Sequence, residues 1–97
     1  MQRKHAQSLG ELIRDFFEDN TELYEKMLQS RAERAWGEML GPSIMQYTHN
    51  IYVRNQVLYV SLTSSVLRSE LLLSRDRLLK GLNQHIGSNY LRNIVIR

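Results

Sequence analysis

The sequence predicts an α+β domain of element order ααββαβ, a small three-stranded sheet with helices packed on one face. Three observations lead there. Residues 9–40 space their apolar side chains at helical intervals, and residues 44–63 turn to β-branched and aromatic residues around a polar break. After one more helical stretch, residues 91–96 alternate again. A hairpin, a helix and a returning strand make one sheet, which needs helices to cover its apolar side.

Each element has its own signal. Ser8 is placed to cap a first helix, in which Leu9, Leu12, Ile13, Phe16 and Phe17 form one wide stripe opposite Glu11, Arg14, Asp15 and Glu18. Asp19-Asn20 breaks the run, and Thr21 is placed to cap a second helix whose first turn carries Glu22. Tyr24, Leu28, Ala32, Ala35, Trp36 and Met39 share a face of that helix, while Leu23 and Met27 lie off it, toward the first. Gly41-Pro42 ends the helix, since glycine suits the position after it and proline cannot continue it. Ile44 to Arg54 reads as a strand, Asn55-Gln56 as a two-residue turn without the usual glycine, and Val57 to Thr63 as the return. Leu58, Val60 and Leu62 share one face of the return strand, with Val57 and Tyr59 on the other.

Ser64 or Ser65 caps the third helix, whose core stripe is Leu67, Leu71, Leu78 and Leu82. Leu73 falls on the polar side of an unbroken helix. Either the helix restarts at Ser74 or Leu73 faces a partner; a restart is the commoner event and is the expectation. Gly87 closes the helix, and the last strand runs from Leu91 to Ile96 with Ile94 and Ile96 on one face.

The chain of 97 residues fits a single domain, 1–97, with 1–7 read as a flexible N-terminal segment. Its apolar fraction of 42% suffices for an ordinary globular core. There is no cysteine, which excludes disulfides, thiolate zinc sites and cysteine nucleophiles together. Met1-Gln2-Arg3-Lys4-His5 leads into a charged helical pattern, and no stretch approaches the roughly 18 apolar residues of a membrane span. The expectation is a cytoplasmic protein with no membrane partner.

Catalytic chemistry finds no foothold. His5, His49 and His85 lack metal-ligand spacing, His49 reading as an exposed strand residue and His85 as a solvated helix residue. No G-x-S-x-G, phosphate loop or dinucleotide fingerprint occurs, and helix capping accounts for Ser64-Ser65. Carboxylate pairs such as Asp15/Glu18 and Glu22/Glu25 sit on exposed helical faces. The chain is expected to be no enzyme, to hold no metal or cofactor and to take no small-molecule substrate.

Charge is informative once divided. Residues 1–48 carry six Lys/Arg and eight Asp/Glu, a net −2, whereas residues 49–97 carry seven against two, a net +5. This points either to a basic surface for an anionic polymer or to an ordinary solvated surface rich in arginine. The phosphate-binding candidates are Arg54, Arg68, Arg75, Arg77, Lys80 and Arg92, because arginine's planar fork donates two hydrogen bonds to one anion. On a continuous wheel Arg68 and Arg75 project about 160° or more away from Arg77, so they form no single stripe unless the helix breaks. A second candidate surface is the outward strand face of Tyr52, Val57, Tyr59 and Tyr47, which either stacks with bases, packs on a partner, or is plain cross-strand pairing. Tyr59 and Leu73 are the candidate protein contacts.

An ordered set of residues then resembles a known family. It runs through Trp36, Gly41, Thr48, Leu58, Val60, Ser64-Ser65, Glu70-Leu71, Leu82-Asn83, Gly87 and Ile94-Val95-Ile96-Arg97. Over residues 9–97 the chain is similar to the DciA family of bacterial replicative-helicase operators, once catalogued as uncharacterised RNA-binding proteins. The resemblance implies a KH-like domain that binds single-stranded or forked DNA, contacts the replicative DNA helicase and assists its loading, without cofactor or catalysis. Relatives often carry a tryptophan where this chain has Leu67 and a proline where it has Asn50, and the G-x-x-G loop of RNA-gripping KH domains is absent. An RNA-binding module and a pure protein-interaction domain are the alternatives.

Overall fold

The computed structural model describes residues 8–97, apart from the side chains of Ile13 and Phe17. The expected flexible segment 1–7 lies outside the described residues, as does the placement of those two side chains in the first apolar stripe. The elements are α1 (Leu9–Glu18), α2 (Thr21–Leu40), α3 (Pro42–Met45), β1 (Thr48–Arg54), β2 (Val57–Leu62), α4 (Ser65–Leu73), α5 (Arg75–Ile86) and β3 (Asn93–Ile96). β2 is central, antiparallel to β1 and parallel to β3. The α4–α5 segment is the long crossover that a parallel return requires. The α+β architecture with a three-stranded sheet is therefore the predicted one.

Local chemistry explains most boundaries. Ser8 and Glu11 form a reciprocal capping box: the Glu11 amide donates to Ser8 Oγ at 3.2 Å and the Ser8 amide to Glu11 Oε1 at 2.9 Å. Ser64, not Ser65, caps α4, its Oγ accepting from the Leu67 amide at 3.1 Å. The third predicted helix does restart at Ser74 (φ −109°, ψ 20°), giving α4 and α5. Gly87 ends α5 in the left-handed conformation (φ 85°, ψ 25°). At the hairpin, Asn55 and Gln56 both take positive φ, 54° and 65°, as a tight primed turn demands. Asparagine tolerates that conformation, and Gln56 takes the place where glycine is commonest.

The last strand begins at Asn93 and not at Leu91, whose amide is taken up by Asn83 Oδ1 at 3.0 Å, and two further expectations are corrected. Thr21 is the first residue of α2 and not its cap; Asn20 occupies the cap position, and its amide turns back to donate to the Phe16 carbonyl at 2.7 Å, closing α1. The first strand begins at Thr48, because Pro42 opens a one-turn helix, α3, that takes up Ile44 and Met45. Proline's fixed φ is preorganised for a first helical position, so the proline that stops α2 starts α3. Between them Gly41 adopts φ 87°, ψ 173°, a region open essentially to glycine alone. A Cβ there would meet nothing within 4 Å, so the cost of one is purely backbone. Gly41→Ala is expected to cost about 2 kcal/mol and lower the melting midpoint by about 10 °C. Gly10→Ala, inside α1 and unhindered, is the comparison expected to hold or gain stability in the same thermal melts.

The core lies between the sheet and α2 with α5. Leu28, Ala32, Ala35 and Trp36 of α2 and Leu78, Leu82 and Ile86 of α5 are buried with Val53, Leu58, Val60, Leu62, Ile94 and Ile96 of the sheet. Leu67 and Leu71 of α4 pack against it half-buried. Trp36 ties three elements: its Nε1 donates to Thr48 Oγ1 at 3.2 Å, which donates to the Ile44 carbonyl at 3.0 Å. Side chains of α2 also occupy the outer edge of β1, where Glu33 accepts from the Val53 amide (3.1 Å) and Gln29 donates to its carbonyl (3.3 Å). Burial, and then the hydrogen bond and charge of Glu25 with the charge of Glu33, hold the Tyr90 phenol above its usual range. Among the described residues no helix is long and apolar enough to cross a membrane.

Candidate nucleic-acid interface

Because the buried residues of β2 and β3 alternate strictly, the remaining ones form a second, uncovered face. It carries Tyr52 and Arg54 from β1, Val57, Tyr59 and Ser61 from β2, and Asn93 and Val95 from β3. Tyr52 and Tyr59 are directly paired across the strands, and their rings stack with centroids 4.9 Å apart and planes 10° apart. Arg97, just beyond β3, lays its guanidinium over Tyr59, Cζ 5.3 Å from the ring centroid, and donates from Nη2 to the Tyr52 hydroxyl at 2.8 Å. The result is one ladder spanning all three strands. Tyr47, which the sequence allowed onto this face, belongs to the turn before β1, where its carbonyl accepts from the Thr63 amide and hydroxyl.

Electrostatics favour an anion on this face. None of the three strands contains an acidic residue. Arg54 pairs with Val57, and Val57 with Asn93, in the row next to the tyrosines. Arg75, at the start of α5, reaches the same row from the β3 side and donates to Asn93 Oδ1 at 3.3 Å. Its contact with Asp76 is long, 4.0 Å, and exposed, so it neutralises little. Arg68 lies at the far end of β2, half-buried, donating to the Leu62 carbonyl at 3.3 Å.

The structure does not gather all six predicted cations. Arg54 and Arg75 flank the open face and Arg68 borders its end. Arg92 instead sits at the hairpin-turn end with Glu25, Asn55 and Gln56, its amide donating to the Gln56 carbonyl at 2.8 Å. Arg77 and Lys80 are exposed on α5, Lys80 beside Asp76 and Gln84. Leu73 is 83% exposed at the α4–α5 junction, with Val66 (74%) two turns earlier on α4. Arg97 was not among the candidates, although it closes the set of residues carrying the family resemblance. A terminal arginine after an alternating strand has no local signal for a cation–aromatic contact.

His49 is exposed at a register shift in β1, between Thr48 and Asn50. His85 is an exposed helix residue, as expected, and its Nε2 also lies 2.9 Å from Glu38 Oε1, joining α5 to α2. Among the described residues no group of three or more His, Asp or Glu side chains is placed to hold a metal ion.

A protein-family model described as Dna[CI] antecedent, DciA, matches residues 8–96, nearly the whole chain. No curated protein matches it.

Proposed function

Since the chain belongs to the DciA family, we propose that it is a non-enzymatic accessory of the replicative DNA helicase, binding single-stranded or forked DNA and assisting helicase loading or activity. The observation that carries this reading is the coincidence of a family match over residues 8–96 with an acid-free sheet face bearing stacked tyrosines and flanking arginines. Arg54, Arg68 and Arg75 supply phosphate contacts at that face, and Arg77, Lys80 and Arg92 supply outlying ones. The KH-like layout serves here without a G-x-x-G loop, so arginine side chains take over the phosphate grip. No cofactor or metal enters this function, which belongs in the cytoplasm, where the replicative helicase works.

The helicase contact falls on Leu73 with Val66, an exposed apolar pair two turns apart on α4. A partner that covers this pair removes apolar surface from water and leaves the sheet face free for DNA.

Forked-DNA unwinding by the source organism's replicative helicase, with and without this protein, tests the reading. Stimulation at near-stoichiometric amounts, retained when the protein is added before the DNA, is the expected result. Unchanged unwinding by a demonstrably active helicase overturns it. Leu73→Asp is expected to abolish stimulation while leaving DNA affinity intact.

A further inference from the structure

We propose that the Tyr52–Tyr59–Arg97 ladder is the seat of unpaired bases in a single DNA strand, with Arg54 and Arg75 holding the adjoining phosphates. This rests on the DNA-binding reading above and deepens it by naming the strand state the protein selects and the residues that select it.

The ladder is preorganised. Two aromatic rings held 10° from parallel at 4.9 Å cover one face of each other and fix the orientation of the π surface that remains, the outer face of Tyr52 and the edges of both rings. The guanidinium of Arg97 extends that array, held by its bond to the Tyr52 hydroxyl and its position over Tyr59. A guanidinium plane stacks on bases as an aromatic ring does, and it brings a positive charge close to the strand's phosphates. All three groups have only a few rotatable bonds left to freeze when a base arrives, which lowers the entropic cost of binding.

Placement matters as much. The ladder lies on the face that no core residue occupies, while the apolar side chains of β2 and β3 point the other way. Cross-strand packing accounts for two tyrosines side by side. It does not account for the third member, an arginine that forms no ion pair among the described residues, or for the neighbouring row that ends in Arg54 on one side and Arg75 on the other. Cations on both sides of half-buried aromatic rings, with no acid in any of the three strands, match a ligand that is planar in its bases and anionic along its backbone. Duplex DNA satisfies only the second half of that description, because its bases are stacked on one another and closed to a protein ring.

The test compares a labelled single strand of thymidines of about 15 nucleotides with a duplex of the same length, by fluorescence anisotropy across a salt series. Tyr59→Ala is expected to weaken the single strand about tenfold or more, leaving duplex affinity and the salt slope of both unchanged. Tyr59→Phe, which keeps the ring, is expected to bind like the parent protein. Tyr59→Leu, which keeps the apolar bulk without the aromatic plane, follows Tyr59→Ala and separates stacking from folding, with circular dichroism confirming the fold of each. Equal losses on both DNAs, or no loss on the single strand, overturn the proposal and leave DNA binding standing. Absence of binding to either DNA by the parent protein at low salt overturns the DNA-binding reading and this one with it. Tighter binding to the same strand made of RNA overturns the assignment to DNA.

Discussion

Trp36→Ala is expected to lower the folding stability by about 4 kcal/mol, the largest single effect among the described side chains. The indole is fully buried between α2, α5 and the sheet, and its neighbours on α2 include Ala32 and Ala35, too small to fill the space it leaves. The loss combines the transfer of a large apolar surface with the cavity left behind. It also strands the Thr48 hydroxyl, which now accepts from the indole while donating to Ile44. Against the 5–15 kcal/mol typical of a whole domain, roughly a quarter or more of the stability disappears. For a domain of this size the thermal midpoint should fall by about 15–30 °C, followed by far-ultraviolet circular dichroism. Thr48→Val keeps the shape and removes only the hydrogen bonds, so its cost should be smaller, about 1–3 kcal/mol. A Trp36→Ala midpoint within a few degrees of the parent would show that this corner does not anchor the fold.

Reversing two of the arginines beside the open face should have the largest effect on DNA binding. With four or five phosphates contacted, the logarithm of the binding constant should fall against the logarithm of salt with a slope of about −4, so a threefold rise in salt weakens binding about a hundredfold. In the double variant Arg54→Glu with Arg75→Glu, two contacts vanish, and the slope should flatten to about −2 with a loss on the order of a hundredfold at low salt. Arg77→Glu with Lys80→Glu changes the net charge by the same amount on the exposed flank of α5 and should cost much less. Titrations of forked DNA at several salt concentrations distinguish the two. Equal losses would mean that only net charge matters and that the sheet face has no special part; no loss from either pair would remove both surfaces.

Much of this architecture was legible because its causes are local. Ser8 with Glu11, Ser64 with the Leu67 amide, and Gly87 at the end of α5 each act within four residues along the chain. The awkward Leu73 correctly signalled a break at Ser74 because an unbroken helix would have turned it to a polar side. The misplacements arose where one local signal served two purposes. Pro42 reads as a stop for α2 and is equally the first residue of α3, and Ile44 suits a helix turn as well as a strand. Asn20 and Thr21 are both good caps, and which side chain is used depends on the angle between α1 and α2, with Asn20 engaged by the Phe16 carbonyl.

From the residues alone came the class of fold, its alternating faces and the basic second half, all properties of periodicity, composition and short-range capping. The ladder depended on something no spacing contains. Arg97 meets Tyr52 across 45 positions only because β3 returns parallel to β2 in one register. A shift of a single residue would send its side chain to the opposite face. The division of the six cations has the same origin: the break at Ser74 resets the rotation of α5, and packing of Leu78, Leu82 and Ile86 then sets which way Arg75 and Arg77 point. Neighbours in the chain write the elements, and the long-range register of the sheet decides which charges and rings share a surface.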